Sequence, residues 1–420
     1  MPRYDAVVVG AGPAGSATAA HLARSGSRVL LCDRLEFPRD KACGGGLTPR
    51  GVAALDDLGI KLTDAQAIRV GGIEMGFGSR GAINAAFPST AKWPDYGLVA
   101  RRSVMDQAVL DAAVDAGAEL RTVRVAGPLF TDGTCTGVRI KTNGTVEEVE
   151  ASWTIAADGA TSTTARAAGL SDDVASGRGF WYAAMRSYFG PVAPITKDGE
   201  AQLEFYPLNT KDGRWLPAYG WIFPLPDGSA NVGVDLPHSP SLDACLPLRE
   251  AFDAFVADLR RVRPGFEDSE MLEPPHGALL PEAMRGFRPG VPGMLAVGDA
   301  AGLITPYSGE GIAYALESGE LAAKAIGSDA RPSEVVRRYA KDLEDGYGFH
   351  FSAALRFMKA MRKAPLANAA VAVGSRSPRV FRAAVRIMAF LIEDDPDTTS
   401  TVSKGYSMAK RLRGIRRSGS

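Results

Sequence analysis

The sequence predicts an α/β fold (α+β overall): a parallel-sheet domain, interrupted by an inserted, mainly antiparallel β-sheet and followed by a C-terminal helical region. Three observations predict it. Ala6-Val7-Val8-Val9 breaks into Gly10-Ala11-Gly12-Pro13-Ala14-Gly15 and then into the helix-forming stretch Ser16 to Ser25. A second strand-and-turn unit, Gly293 to Val297 followed by Gly298-Asp299-Ala300-Ala301-Gly302, stands near the other end of the chain. Strand-rich sequence fills much of the interval. At 420 residues, 45% hydrophobic and 23% charged, the chain can bury more than one core.

The opening unit reads as strand, turn and helix. In that context Gly10 permits the tight turn, Gly12 lets backbone approach a pyrophosphate, and Gly15 lets the helix pack on the strand. Arg28 to Cys32 predicts the next strand, ending in Asp33. A carboxylate about 20 residues beyond the glycines is placed to hydrogen-bond a ribose hydroxyl. The frame is that of a Rossmann-like dinucleotide-binding domain.

Composition excludes other classes. With 48 basic and 48 acidic residues the net charge is +0, so no molecule-wide field recruits nucleic acid. Cys32, Cys43, Cys135 and Cys245 have no C-x-x-C spacing, and His21, His238, His276 and His350 form no cluster, so no metal site is expected. No positively charged leader precedes the first strand and Arg376, Arg379, Arg382 and Arg386 interrupt the most apolar late stretch, which predicts a cytoplasmic protein, peripheral at most to the inner face of the cell membrane.

Asp158-Gly159 followed by Ser162 and Arg166 resembles the D-G-x-x-S-x-x-R pattern of flavoproteins in the p-hydroxybenzoate hydroxylase superfamily. Gly298-Asp299, with Pro306 and Gly309-Glu310-Gly311-Ile312 opening a helix, resembles that superfamily's G-D motif. The cofactor implied is FAD, with Asp299 on its ribityl chain and the helix N-terminus after Gly309 near its ring. Asp158 and Asp299 also fit the commoner role of an aspartate that satisfies its own turn.

Lys41-Ala42-Cys43-Gly44-Gly45-Gly46 and Tyr219-Gly220-Trp221-Ile222-Phe223-Pro224, the latter followed by Ala230-Asn231-Val232-Gly233-Val234, are similar to the K-x-C-G-G-G and Y-x-W-x-F-P segments of the geranylgeranyl reductase family, which includes menaquinone reductases. The resemblance, which also takes in Arg102 to Asp106, covers about the first 320 residues. It implies an FAD enzyme that saturates isolated double bonds of a polyprenyl chain, with cofactor contacts at Ala14, Asp33, Cys43, Gly44, Gly45, Gly46, Arg102, Asp299, Gly311 and Ile312; Gly10, Gly12 and Gly15 of the glycine turn, Val125 and Asp158 complete the expected cofactor site. One departure is Tyr307, where a smaller residue is expected and where the shape of the cavity beside the ring would change.

An isolated alkene has no carbonyl to stabilise a carbanion, so hydride from flavin N5–H must be matched by a proton from an acid. A free thiol is mostly protonated near neutrality, which makes Cys43 a candidate donor; the plainer reading is a small packing residue. Tyr219, Trp221 and Phe223 alternate, so on a strand they share one face, suited to an apolar chain and to developing positive charge. Catalytic roles are therefore assigned to Cys43, Tyr219 and Trp221, against the alternative that the aromatics are simply core. No second strand-glycine-helix unit provides a nicotinamide domain, so electrons come from transient NAD(P)H or a ferredoxin-like carrier.

The expected organisation is an FAD-binding domain from 1–70, 100–178 and 280–330, a substrate-binding sheet from 71–99 and 179–279, a helical region over 331–403 and a basic tail over 404–420. Ser333 is the expected N-cap of a helix over Glu334 to Tyr347, followed by helices over Phe351 to Arg362 and Val380 to Ile392. Lys404, Lys410, Arg411, Arg413, Arg416 and Arg417 without an acidic neighbour suit an anionic bilayer surface or a solvated tail. Two other functions fit the frame: a flavin monooxygenase that hydroxylates an aromatic or polyketide-like substrate, and a non-catalytic prenyl-binding protein resembling Rab escort proteins. A halogenase is disfavoured, because no W-x-W-x-I-P segment occurs near the end of the first helix.

Overall fold

Val7 and Val8 are fully buried, as befits a β-branched run at the centre of a parallel sheet covered on both faces. The computed structural model describes all residues except 1–3, 78–80, 143, 172–179, 210–214, 239–245, 328–329, 393–403, 407 and 411–420. Cys245 and Arg411, Arg413, Arg416 and Arg417 of the tail thus lie outside the described residues.

The strand Tyr4–Val9 pairs in parallel with Thr145–Ala156 on one side and with Val29–Asp33 on the other. Glu119–Thr122 extends the sheet beyond Val29–Asp33, and Met294–Ala296 extends it beyond Thr145–Ala156, both in parallel. Segments far apart in sequence therefore form one sheet. The helix Pro13–Arg24 begins three residues before the expected Ser16, because Pro13 carries a φ preset for the first helical position and has no N–H to satisfy.

The second sheet runs in the order Glu270–Met271, Trp181–Gly190, Ala230–Pro237, Trp215–Pro224, Glu200–Asn209, Ala67–Gly76, Gly97–Ala100, Gly46–Leu47. It is antiparallel except where Glu200–Asn209 lies parallel to Ala67–Gly76. It also recruits Gly46–Leu47, which pairs with Gly97–Ala100. A two-residue strand leaves no periodicity in the sequence, and only the pairing reveals it.

The late helices divide between the two layers. Tyr339, Leu343, Tyr347, Phe351 and Leu355 join the core of the first sheet, while Phe381 and Val385 join that of the second. Ser333 is not the N-cap: the helix Pro332–Leu343 is capped by Arg331, whose backbone N–H donates to Glu334 Oε2 at 3.3 Å. Pro332 sets the first-turn φ and moves the start back. A π-turn, Glu344–Gly348, joins that helix to Phe349–Met361, and the helix expected over Val380 to Ile392 runs over Pro378–Met388.

Candidate active site

A cavity of about 680 Å³ lies between the two sheets. One end is built on the glycine turn: Gly10, Gly12, Ala14, Asp33, Val125 and Asp158 all line it. Gly12 caps the helix Pro13–Arg24 without a side-chain bond, and the first turn holds no acidic residue, so the helix presents open N–H groups to the cavity. Asp33 Oδ2 accepts from the Ala11 N–H at 2.8 Å and Oδ1 from the Leu35 N–H at 2.9 Å, leaving a lone pair on each oxygen. Gly15 does not line the cavity; a Cβ there would lie 1.8 Å from the Gly10 carbonyl oxygen, so its role is helix-on-strand packing. Asp158 accepts from the Ser162 hydroxyl and, at 3.0 Å, from the Thr164 N–H, the turn-holding role that the sequence left open.

The middle of the cavity is walled by Cys43, Gly44, Gly45, Gly46, Arg102, Asp299, Gly311 and Ile312. Arg102 is buried and grips Asp106 with two bonds of 2.7 Å. Burial opposes the charge, but Asp106 and the neighbouring Cys43 side chain hold the guanidinium pKa above its ordinary range. Asp299 accepts from Lys41 Nζ at 2.8 Å. Burial alone would raise this carboxyl, yet Lys41 and Arg102 outweigh it and hold it below the usual range. The sequence reading did not assign Lys41 a partner, although it stands in the quoted K-x-C-G-G-G segment.

Tyr219, Trp221 and Phe223 share one face of their strand and, with Phe205, line the far end. Phe205 lies 5.3 Å, centroid to centroid, from both Tyr219 and Phe223. Ile222, on the other face, enters a separate core. Trp221 Nε1–H donates to Asn231 Oδ1 at 2.9 Å, and Asn231 Nδ2 donates to the Cys43 carbonyl at 2.8 Å, so one buried amide ties the aromatic strand to the cysteine loop. A Cβ on Gly44 would stand 2.7 Å from Phe223 Cε2, so the glycine allows the loop to lie on the aromatic face. Ile73, Met75, Leu203, Phe381, Val385 and Met388 complete an apolar chamber. Tyr307 does not line the cavity. Its ring packs 5.2 Å from His350 and 5.6 Å from Phe357, so the expected change of cavity shape does not arise from this side chain.

Three buried carboxyls that sequence reasoning missed stand near this end of the cavity: Glu310 next to Gly309 in sequence, Asp235 beside it in space, and Glu282 beside Asp235. Glu310 accepts from the Thr48 hydroxyl at 2.6 Å, and burial pushes its pKa up to about 7 against the opposing pull of that bond and of Arg50. Asp235, 2% exposed, lines the cavity beside Tyr219, and burial raises it well above the carboxylate range. Glu282, 1% exposed, is raised in the same way by burial and by Asp235. The available signal was a lone acid in the otherwise apolar run of Ala230–Pro237, in phase with Asn231. No group of His, Cys, Asp and Glu among the described residues is arranged to hold a metal ion.

An open helix N-terminus, an acid at the end of the second strand and a cavity spanning both sheets define an FAD-binding oxidoreductase fold. Residues 3–214 match the family model described as an FAD binding domain. The chain is 37% identical over 413 residues to menaquinone reductase of Mycobacterium tuberculosis, covering 97% of this chain and 96% of that protein. It is 32% identical over 365 residues to digeranylgeranylglycerophospholipid reductase 2 of Methanothermobacter thermautotrophicus, covering 85% and 87%. Its fold resembles the crystal structure of a geranylgeranyl bacteriochlorophyll reductase-like protein from Thermoplasma acidophilum, with a TM-score of 0.72, 25% identity and coverage of 97% and 96%. The chain belongs to the geranylgeranyl reductase family of FAD-dependent oxidoreductases.

Proposed function

We propose that this enzyme saturates isolated C=C bonds of a polyprenyl chain, carried by a geranylgeranyl lipid or a menaquinone. The observation that carries the reading is a single cavity that passes from the dinucleotide turn to an aromatic and aliphatic chamber. The open N–H groups after Gly12, the free lone pairs of Asp33, and Arg102, Asp299, Gly311 and Ile312 fit FAD. When bound and reduced, FAD supplies hydride.

The protein's own residues bind, orient and exclude water. Cys43, Tyr219 and Trp221 meet the reacting double bond, with Phe205 and Phe223 behind them and their ring faces turned to any positive charge that develops there. Asn231 keeps loop and strand in register. The electron donor is NAD(P)H bound transiently or a ferredoxin-like carrier.

Such a substrate resides in lipid, and the protein contacts the bilayer peripherally. The basic C-terminal tail, including Lys404 and Lys410, is one element of that contact. The helix Ala364–Gly374 is the other: it bears no charge, Leu366 is 47% and Val373 53% exposed, and every charged residue between Gly346 and Ile392 is basic. Apolar surface framed by basic side chains suits an anionic interface. The next helix, Pro378–Met388, lines the cavity with Phe381 and Val385, so a lipid contact here adjoins the substrate chamber. No helix among the described residues is long and apolar enough to cross a membrane.

The test is anaerobic. Reduced holoenzyme mixed with geranylgeranyl lipid or menaquinone should be reoxidised, with the product gaining about 2 Da per double bond. A gain of about 16 Da on an aromatic substrate, seen only with oxygen, would assign the enzyme to the monooxygenases instead.

A further inference from the structure

We propose that Asp235, which lines the cavity beside Tyr219 and is backed by Glu282, is the proton donor to the alkene carbon that does not receive hydride. The inference rests on the prenyl-reductase reading above and extends it to residues outside the quoted motifs. Asp235 stands directly across the strand pair from Tyr219, and both line the cavity. Tyr219 has a single hydroxyl hydrogen, and the 2.6 Å bond to the Ser308 carbonyl uses it. Tyr219 Oη and Asp235 Oδ2 both border Gly309, where a Cβ would lie 2.8 and 3.1 Å from them, and with the tyrosine hydrogen committed to Ser308 the buried carboxyl has no donor at full strength to stabilise its charge, a setting that favours the protonated acid.

The surroundings agree. Among the described residues, Asp235 Oδ1 and both Glu282 oxygens have no hydrogen-bond partner and no cation is paired with either acid, so the two would be very costly as a pair of buried anions. Glu282 follows directly on the strand His276–Pro281, which pairs with Trp181–Gly190; Trp181–Gly190 in turn pairs with Ala230–Pro237 through Ala184 and Asp235. The titratable groups facing Asp235 are Tyr219, Glu282 and Tyr182, and Arg362 acts on Tyr182. Burial raises Asp235 against the opposing pull of Tyr219, and burial and Asp235 together raise Glu282, so both acids are held toward the protonated form.

With reduced FAD in place as the two-electron donor, the alkene π bond would break, one C–H bond forming from the hydride that the cofactor supplies and the other from the Asp235 proton, and the carboxylate left beside Glu282 would be reprotonated from solvent. Cys43 then serves as a wall of the site and is not the proton source.

The experiment compares wild type, Asp235→Asn, Glu282→Gln and Cys43→Ala holoenzymes. Each is reduced anaerobically with dithionite and mixed with a geranylgeranyl lipid. Asp235→Asn should keep its flavin spectrum and its reduction, while reoxidation by the lipid slows by about 100-fold or more. Independently of turnover, infrared difference spectra on titrating the wild type should show a protonated carboxyl band that shifts in D2O. Asp235→Asn should remove one component of that band and leave those of Glu282 and Glu310, and Glu282→Gln should remove a second and shift the Asp235 component. The wild-type reoxidation rate should fall as pH rises through the titration of this band, and Cys43→Ala should keep that profile. Near-wild-type reoxidation in Asp235→Asn, or no carboxyl band in an active wild type, overturns the donor while leaving the prenyl-reductase reading intact. A wild type that no prenyl lipid reoxidises overturns that reading, and the donor with it.

Discussion

Asn231 offers the sharpest perturbation, because a single side chain links the aromatic strand to the cysteine loop. Replacement by Leu preserves volume and removes two hydrogen bonds of 2.9 and 2.8 Å at a position 2% exposed. It strands the Trp221 indole N–H and the Cys43 carbonyl in an apolar setting. At about 1 to 3 kcal/mol for each unsatisfied group, the cost is roughly 2 to 6 kcal/mol. Unfolding entropy of about 2.1 cal/mol/K per residue, over 420 residues unfolding together, converts this to a fall in Tm of about 2 to 7 °C. Asn231→Asp separates the two bonds: the carboxylate still accepts from Trp221 but sets an oxygen against the Cys43 carbonyl. The loop should then loosen while the tryptophan stays in place. Differential scanning calorimetry of the holoenzymes gives the first quantity, and tryptophan fluorescence with FAD titration gives the second. A Tm change below about 1 °C in Asn231→Leu, with unaltered FAD affinity, would refute the idea that this amide holds the two walls together.

Further outcomes are expected at other positions. Gly44→Ala places a methyl 2.7 Å from Phe223 Cε2, which is hemmed in by Phe205 and Trp221, so a destabilisation of about 1 to 3 kcal/mol with weaker FAD binding is expected, measured by denaturation and flavin fluorescence. Glu310 has a pKa raised from 4.5 to about 7, so its contribution to stability is fully present below pH 4.5 and is lost as pH rises through about 7. Glu310→Gln should flatten the urea midpoint against pH across that window. The double variant Leu366→Glu/Val373→Glu should sediment less with anionic vesicles while retaining FAD, and unchanged sedimentation would exclude the helix Ala364–Gly374 as the bilayer contact.

Local chemistry made a large part of this protein legible in its sequence. A β-branched run, glycines at fixed spacing and an acid after the next strand specify a dinucleotide turn because each acts through backbone geometry within a short segment. The alternation of Tyr219, Trp221 and Phe223 likewise fixes a shared face, since side chains on a strand repeat every second residue. Tyr307 shows the limit of motif comparison, for a residue's distance along the chain from the G-D segment does not say which way its ring turns. Only the tertiary structure decided that it packs on His350 and Phe357. The same holds for Lys41 on Asp299, Asn231 between Trp221 and Cys43, and Asp235 beside Tyr219 and Glu282. Each links segments that no periodicity connects, and the state of each charge depends on burial and on partners brought in from elsewhere in the chain. The sequence by itself determined the cofactor frame and the family; folding decided where the protons and charges of the site reside, because solvation and distance are properties of the assembled molecule.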